Sequence, residues 1–488
     1  MTNLQLSILS NFPDIEPFLE ELKNACGAGK LFTPGVPIYL ARSPGRLDLM
    51  GGNDDYTGGL VFEMTICEAT RVAIQPRRDN LVRIFNPQVK VLGWDELVEF
   101  HLSDLSDHHR VRPVSEIHQY FNANPSRNWI AYVLGGIYLL MKDFPEKINH
   151  GLSIFLESDV PIGKGVSSSA ALEVAPLKAM AASYGLNFEG EDLAVKCQWI
   201  ENAIAQSASG VMDQIAVVAG DRNHFVPLVC QPCLPEPLVH LPQPLRTWGI
   251  DSGVRHQVAG IEYEAARAAT FMAYQMMCNQ AGLKLVYDDI GALPRWKDSR
   301  WNGYLANMSP FEFRTFFEKY LPEQMLGADF TAEFPVHADP FTPVRAEVQY
   351  PVRASARYAV EENHRVRLFV DLLSQRQEPL SVRTCELLGE IMYGAHAGYS
   401  ECGLGSDGTD RIVALVREEG PEHGLFGAKI TGGGAGGTVA VLGRQDEEAV
   451  AAFHRVIERY QQATGYAPYI FEGSSPGADR FGVVTITL

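Results

Sequence analysis

The stretch PIGKGVSSSAALEVA, residues 161–175, is the most informative part of this chain of 488 amino acids. Two glycines flank a lysine in a flexible turn, three serines follow, and dense apolar residues then predict a buried helix. Free backbone N–H groups and the positive dipole end at a helix N-terminus favour a bound phosphate. Small residues let the backbone approach such an anion. A serine-capped helix after a turn, without any ligand, is the structural alternative.

Two more glycine-rich segments are SPGRLDLMGGNDDYTGG from Ser43 and AKITGGGAGGTVAVL from Ala428. The second contains Gly432, Gly434 and Gly437 in the spacing G-x-G-x-x-G, which in dinucleotide-binding proteins follows a strand and opens a helix. Here TVAVL follows the glycines and is typical of a strand, so we predict a glycine-rich link between two strands. The chain has no G-x-x-x-x-G-K-[ST] sequence, which excludes a Walker-type loop.

Composition and patterning predict a mixed α/β protein with two domains. The chain is too long for one comfortable core, and its 46% hydrophobic and 20% charged residues are those of an ordinary globular protein. Apolar runs broken by turns over residues 37–75 predict strands, while residues 128–143 and 168–184 predict buried helices. Five prolines within residues 230–248 mark a domain crossing, which we place near Pro242.

The predicted organisation has three parts. Residues 1–36 form an N-terminal extension, residues 37–242 an N-terminal domain with the loop 161–171, and residues 243–488 a C-terminal domain. Residues at about 285–350, rich in aromatic, proline and acidic side chains, are interpreted as an insertion in the C-terminal domain, with a short helical piece within residues 310–321.

Charge and hydropathy exclude several classes of function. The formal charge of −18, without a cluster of Lys and Arg, argues against nucleic-acid binding. The longest apolar run, residues 129–141, is shorter than the roughly 20 residues that span a bilayer, so no membrane partner is predicted. The acidic N-terminal segment lacks the pattern of a signal peptide, and we expect a cytoplasmic protein.

The cysteines and one histidine pair carry no predicted chemistry. Eight irregularly spaced cysteines are expected to be mostly reduced core residues. Cys230 and Cys233 form a C-x-x-C without a second pair, so a zinc or redox role is disfavoured. His108 and His109 are expected in a solvated loop.

The three glycine-rich segments, in this order, resemble the motifs of the GHMP kinases, the superfamily of galactokinase, homoserine kinase and mevalonate kinase. PIGKGVSSSA is similar to the nucleotide loop P-x-G-x-G-L-S-S-S-A, with Val166 in place of Leu, and KITGGGAGG to the third motif. SPGRLDLMGG with Tyr56, VMDQ at 211–214 and GIDSGVRHQVAGIEY from Gly249 resemble the galactokinase branch. GRLDLMGG, GLGSDGTDRIVALV and FEGSSPGA from Phe471 are similar to the kinase portion of plant L-arabinokinases.

This resemblance implies a two-domain α/β (α+β) fold, with an N-terminal domain like ribosomal protein S5 and a ferredoxin-like C-terminal domain. It implies an enzyme, a sugar 1-kinase that binds a sugar, ATP and Mg²⁺ and phosphorylates the anomeric hydroxyl of L-arabinose. D-Galactose is the alternative substrate. A non-catalytic sugar and ATP sensor is less favoured, because the serine loop is complete and Asp213 is present.

By the same resemblance, Asp213 accepts the anomeric proton and Arg46 stabilises developing negative charge. A buried Asp–Arg structural pair is the alternative for these two. Ser169 and Glu201 match the magnesium ligands, and an ordinary surface glutamate is the alternative for Glu201. Lys164 is expected to be solvated. The residues implied to cradle the phosphates are Gly163, Gly165, Ser167, Ser168, Ser169, Gly432, Gly433 and Gly434.

For the sugar, the resemblance implies contacts from Asp55, Gly210 and Tyr263. After PGR, galactokinases read Gly-Glu-His-x-Asp-Tyr, whereas Gly52 and Asn53 stand here in place of the Glu–His pair that contacts the C6 hydroxyl. L-Arabinopyranose lacks that hydroxymethyl group, and a buried carboxylate without a partner is costly. We therefore expect a preference for the pentose, with galactose tolerated weakly. Asp48 also departs from the galactokinase pattern, which has Asn.

Overall fold

The computed structural model describes residues 11–27, 31–107, 110–122, 124–207, 209–255, 261–288, 294–374 and 379–487. His108 and His109 lie outside the described residues. The strands, in chain order, are β1 Ile38–Met50, β2 Leu60–Pro76, β3 Leu81–Phe85, β4 Leu97–His101, β5 Ser106–Asp107, β6 Arg110–Val111, β7 Leu152–Ser158, β8 His224–Val229, β9 Leu234–Pro235, β10 Val239–His240, β11 Leu245–Asp251, β12 Val286–Asp288, β13 Arg295–Lys297, β14 Met325–Leu326, β15 Gln349–Tyr350, β16 Leu425–Ile430, β17 Thr438–Arg444, β18 Ile470–Glu472 and β19 Val484–Ile486.

Helices cover both sheets and connect them. The α-helices, in chain order, are α1 Ile15–Gly27, α2 Val114–Asn122, α3 Ala131–Asp143, α4 Ser168–Ser183, α5 Gly190–Ala203, α6 Met212–Ala219, α7 Ile261–Gln280, α8 Pro310–Glu312, α9 Gly327–Glu333, α10 Val352–Leu373, α11 Val382–Glu401, α12 Asp407–Glu419, α13 Glu447–Thr464 and α14 Ala478–Phe481. The strands predicted within residues 37–75 and the two predicted buried helices are present as β1, β2, α3 and α4.

The first sheet has nine strands and is built around β2, which pairs antiparallel with β1, β7 and β8. Helix α4 packs across β1 and β2, and its alanines and other apolar residues are buried together with α3, α5 and α6. The last strand, β19, returns to this sheet and pairs with β1, where Ile486 lies opposite Ile38. Helix α1 packs beside that edge through Phe18 and Leu22.

The second sheet has four strands in the order β16-β17-β11-β18. Strands β16 and β17 pair antiparallel and are joined by the glycine-rich residues 431–437, which confirms the predicted link between strands. Helices α12 and α13 cover this sheet, and Trp248 of β11 stacks on Phe453 of α13 with ring centroids 4.7 Å apart. The predicted boundary near Pro242 stays a prediction; β11 begins the second sheet at Leu245.

The region predicted to be an insertion packs on α7 and α10. Its apolar side chains, among them Trp301, Phe313 and Phe330, share one buried cluster with Met272 of α7 and Val360 of α10. The short helical piece expected here is present as α8, followed by a π-helical and a 3₁₀ turn. Large buried aromatic side chains explain how a segment with little regular structure is still anchored to these two helices.

No helix in the described ranges is long and apolar enough to cross a membrane. Seven cysteines of the described residues are assigned as free thiols, and all of these except Cys67 are buried. Among the described residues no group of three His, Cys, Asp or Glu side chains forms a metal cluster.

Candidate active site

The loop between β7 and α4 has a left-handed backbone at three positions. Gly163, Gly165 and Ser167 have φ angles of +73°, +70° and +59°. Glycine adopts such angles without steric cost, whereas Ser167 is strained there, as residues at functional sites often are. Helix α4 begins at the next residue, Ser168, so the loop brings the first N–H groups of the helix to a cleft that the loop itself lines.

Strand β1 approaches this loop closely because it contains Gly45. The backbone N–H of Arg46 donates to the carbonyl of Val166 at 3.1 Å, and a Cβ atom at position 45 would lie 2.6 Å from that carbonyl oxygen. The pairing of β1 with β2 shifts register between Pro44 and Arg46. Such an irregularity re-aims side chains, and here the Arg46 side chain lines the cleft.

The glycine-rich loop after β16 closes the cleft from the second sheet. A Cβ atom at Gly432 would lie 2.8 Å from the carbonyl oxygen of Gly165, so glycine is what permits this approach of two loops. Asn53 Nδ2 donates to the Gly433 carbonyl at 3.1 Å, and Thr438 Oγ1 donates to the Lys164 carbonyl at 2.8 Å. The serine loop, residues 161–171, and the glycine-rich residues 431–437 therefore contact each other directly.

Lys164 is not a solvated side chain, contrary to the expectation from the sequence. Its Nζ lies 2.5 Å from Oδ2 of Asp251, whose side chain is fully buried at the end of β11. The Tyr466 hydroxyl donates to the same carboxylate oxygen. Burying a carboxylate is costly unless a cation pairs with it, and the ion pair with Asp251 therefore keeps the Lys164 side chain bound between the two sheets.

Arg46 and Asp213, which both line the cleft, contact each other. Nη2 of Arg46 lies 2.6 Å from Oδ1 of Asp213, which is in the first turn of α6, and Nη1 donates to the Gly165 carbonyl at 2.6 Å. Nε of Arg46 lies 3.1 Å from the buried Glu63 carboxylate. Burial lowers the pKa of Arg46, but Asp213 and Glu63 outweigh this effect and hold the pKa above its usual value. Asp213 keeps 20% of its side chain exposed.

A second acidic cluster lies beside the serine loop. Glu201 is buried, accepts hydrogen bonds from Ser209 Oγ at 2.9 Å and Gln214 Nε2 at 2.6 Å, and is hydrogen-bonded to Ser169. Burial raises the pKa of Glu201 to about 7. Glu173 is also fully buried, and its Oε1 has no hydrogen-bond partner among the described residues. Glu201 is thus not a surface glutamate.

This cluster fits a magnesium ion. Hydroxyl and carboxylate oxygens are the donors that Mg²⁺ prefers. Burial raises the pKa values of Glu201 and Glu173, so a bound cation would stabilise their charged forms. Ser169 lines the cleft directly, whereas Glu201 does not.

The cleft is also lined by the residues predicted to contact the sugar, here called the sugar end: Asn53, Asp55, Gly210 and Tyr263. A Cβ atom at Gly210 would collide with Oδ2 of Asp55, so glycine is required there. Burial raises the pKa of Asp55 to about 6, an effect that the charge of Arg267 opposes. Asn53 has a φ of +58°, and its buried Oδ1 has no hydrogen-bond partner among the described residues.

Gly52 does not line the cleft. A Cβ atom at this position would collide with the Tyr399 hydroxyl and with Oδ2 of Asp48. Asp48 itself forms a fully buried ion pair with Lys429 of β16, at 2.8 Å. The space that a side chain at position 52 would fill is therefore occupied by groups from both sheets.

The structure brings most of the predicted site residues to one cleft. Those that line it are Arg46, Asn53, Asp55, Gly163, Gly165, Ser167, Ser168, Ser169, Gly210, Asp213, Tyr263 and Gly433. Gly52, Glu201, Gly432 and Gly434 do not. Val166, Ser209 and Met212 also line the cleft and were missed; Ser209 could have been suspected as the hydroxyl next to Gly210.

Three family models match the chain. Residues 131–221 match GHMP kinases N terminal domain, residues 378–462 match GHMP kinases C terminal, and residues 30–76 match the galactokinase galactose-binding signature. The last match contains Arg46 and Asp55, and the first contains the serine loop and Asp213.

Individual proteins give the same relationship. The chain is 37% identical to an L-arabinokinase of Arabidopsis thaliana, over 99% of this chain and 50% of that protein. It is 33% identical to a galactokinase of Chloroflexus aurantiacus, over 57% of this chain and 63% of that protein. The chain thus spans about half the length of the first relative and less than two thirds of the second.

Two solved structures share the fold. The galactokinase of Lactococcus lactis, complexed with galactose, aligns with a TM-score of 0.67 at 21% identity, covering 92% of this chain and 95% of that one. A mevalonate kinase of Methanococcus jannaschii aligns with a TM-score of 0.53 at 12% identity, covering 89% and 98%. The predicted mixed α/β fold with its GHMP kinase N- and C-terminal regions is confirmed. By its matches to the N- and C-terminal domain models and to the galactokinase galactose-binding signature, the chain belongs to the GHMP kinase superfamily.

Proposed function

We propose that this chain is a sugar 1-kinase that transfers the γ-phosphate of ATP to the anomeric hydroxyl of L-arabinose. One observation carries the proposal: the Arg46–Asp213 pair lines the same cleft as the serine loop and a polar set suited to sugar hydroxyls, and Arg46 also donates to the Gly165 carbonyl of that loop. Phosphoryl transfer requires the sugar hydroxyl, its base and the γ-phosphate to be held in one site, since catalysis consists mainly of positioning and charge stabilisation.

In this proposal Asp213 accepts the proton of the anomeric hydroxyl. Its side chain is partly exposed in the cleft, and Arg46 holds one carboxylate oxygen in place. The Arg46 guanidinium is itself fixed by the Gly165 carbonyl and by Glu63. A cation anchored in this way is preorganised to stabilise negative charge that develops during transfer.

The serine loop supplies the phosphate cradle. The positive φ angles of Gly163 and Gly165 and the start of α4 at Ser168 direct backbone N–H groups toward a bound anion. We assign Mg²⁺ to Ser169 and Glu201, and we assign the closing of the cleft over the phosphates to the loop of Gly432, Gly433 and Gly434, of which Gly433 lines the cleft. When bound, the ion would neutralise phosphate charge.

The choice of L-arabinose rests on the residues at the sugar end. Asn53 offers a neutral amide oxygen that has no hydrogen-bond partner among the described residues, and the Cβ of a side chain at Gly52 would collide with Tyr399. A hexose hydroxymethyl group would therefore lack the carboxylate found in the galactokinase pattern. The 37% identity to an L-arabinokinase over nearly the whole chain supports the same choice. The galactokinase signature and the galactokinase relatives favour D-galactose as the second candidate.

A coupled ADP-release assay with L-arabinose, D-galactose, D-galacturonate and D-fucose tests the proposal. D-Fucose carries a methyl group where D-galactose carries the C6 hydroxymethyl, so the comparison separates the size of the substituent from its hydroxyl. We expect the highest kcat/KM for L-arabinose, by about 10 to 200-fold over D-galactose, the range for one carbon in a pocket. Higher kcat/KM for D-galactose would establish the second candidate. ADP release with none of the sugars would reject a sugar kinase. A cytoplasmic location stays a prediction.

A further inference from the structure

Arg267 of α7 lies directly behind the sugar end of the cleft. Its guanidinium forms a bidentate ion pair with Asp339, with Nε 2.8 Å from Oδ2 and Nη2 3.1 Å from Oδ1. The side chains of Arg267 and Asp339 are only 4% and 1% exposed. A planar guanidinium held at two points has a fixed orientation, which a single contact would not give.

The Arg267 guanidinium interacts with two residues that line the cleft, Tyr263 and Asp55. Arg267 is hydrogen-bonded to Tyr263, lies 5.0 Å from the ring centroid of Tyr56, and lowers the pKa of Asp55 by its charge. On its other side the ring of Phe341 lies 5.3 Å away. Arg267 thus connects two cleft-lining side chains to a segment far along the chain.

That segment is the insertion, at about residues 285–350. Asp339 is held within it by the Thr342 hydroxyl at 2.6 Å and by the backbone N–H of Phe341 at 3.1 Å. These contacts within the insertion hold the Asp339 carboxylate in place, and the carboxylate in turn orients Arg267.

The insertion also supports the loop that carries Asn53 and Asp55. The backbone N–H of Ala306 donates to the Thr57 carbonyl at 3.3 Å, and the ring of Tyr304 fills the space where a side chain at Gly58 would lie. The insertion thus contacts this loop directly and supports Tyr263 through Arg267.

We propose that the insertion is a brace for the sugar-binding end of the cleft, and that Asp339 and Arg267 are positioning residues for the sugar. The proposal rests on the sugar kinase function. Because Asp339 acts on the sugar end through Arg267, its loss affects sugar binding and leaves ATP binding intact.

The test is Asp339→Asn, which keeps the volume of the side chain and removes its charge. With whichever sugar the unmodified protein phosphorylates best, we expect the KM for sugar to rise at least about tenfold, since small misplacements of binding groups are costly. The KM for ATP should change less than about twofold. Asp14→Asn is the matched control, because it neutralises the partner of another buried arginine, Arg42, at the N-terminal edge of the first sheet.

Thr342→Val is a milder second variant, since it removes one hydrogen bond to Asp339 and leaves the ion pair. It should raise the KM for sugar in the same direction by a smaller factor, with the melting temperature measured alongside. Unchanged sugar KM in Thr342→Val and Asp339→Asn, or equal rises for sugar and ATP, would overturn the brace. If Asp339→Asn does not fold, the result with Thr342→Val decides. Absence of sugar phosphorylation in the unmodified protein would instead reject the underlying function.

Discussion

Arg46 donates from both Nε and Nη2 to a single oxygen of Asp213, Oδ1, at 3.0 and 2.6 Å. Arg46 thus engages one carboxylate oxygen and leaves Oδ2 able to accept a proton. The same guanidinium donates a hydrogen bond to the Gly165 carbonyl of the serine loop. One side chain therefore links the proposed base to the proposed phosphate cradle.

Asp213→Asn should reduce kcat by roughly two to four orders of magnitude, the range expected for loss of a general base. An amide keeps the shape of the side chain but cannot take the proton. Nucleotide affinity, measured by titration with ATP, should stay nearly unchanged, and the melting temperature controls for folding. Near-normal turnover would show that the Arg46–Asp213 contact is a structural pair.

Glu201→Ala should raise the Mg²⁺ concentration needed for half-maximal activity, because Glu201 is the buried carboxylate assigned to the ion. Saturating magnesium should then restore part of the activity. The measurement is initial rate against magnesium concentration at fixed ATP. A lowered melting temperature with no rescue by magnesium would assign Glu201 a structural role.

Gly432→Ala should weaken ATP binding, since the added Cβ lies 2.8 Å from the Gly165 carbonyl oxygen. Its φ of +70° also disfavours alanine by roughly 1–2 kcal/mol. Gly465→Ala is the matched control, because Gly465 has a φ of +73° and open space around its Cβ position. Both variants should lose stability, measured by denaturant unfolding. A KM for ATP that rises equally in both would contradict a role of close loop approach.

Asn53→His should narrow the preference for L-arabinose over D-galactose, measured as the ratio of kcat/KM values. Histidine tolerates the left-handed backbone at this position and adds a hydrogen-bond donor at the sugar end. Gly52→Glu should instead lower the melting temperature, because its Cβ collides with Tyr399 and Asp48. An unchanged ratio in Asn53→His, with normal stability, would remove Asn53 from the specificity argument.

The kcat/KM for sugar should fall as the pH drops below about 6. Burial raises the pKa of Asp55 to about 6, so the carboxylate is ionised above that pH and protonated below it. The ionised form is the better acceptor for sugar hydroxyls, and the decline should approach about tenfold per pH unit once protonation dominates. Arg267→Met should move this limb to higher pH, because the Arg267 charge lowers the Asp55 pKa. If kcat/KM for the sugar does not change between pH 5 and 7, the ionisation of Asp55 does not control sugar binding.

Local patterns in the sequence were enough for the elements that carry the site. Glycine and serine before an apolar run predicted the loop and α4, and the strand pattern after Gly437 predicted β17. These predictions succeeded because helix starts, turns and strands depend on neighbouring residues. The predicted site residues came instead from the resemblance of three motifs to those of the GHMP kinases.

Only the tertiary structure decided what surrounds those motifs. Tyr399 fills the space beside Gly52, Asp251 binds Lys164, and Asp339 holds Arg267. Each contact joins segments far apart in the chain, and none has a periodicity or spacing that a sequence reader could recognise. Burial is the physical reason. A charge inside a protein is stable only beside a partner, and the interior is closely packed, so the chain fold decides which distant residues meet.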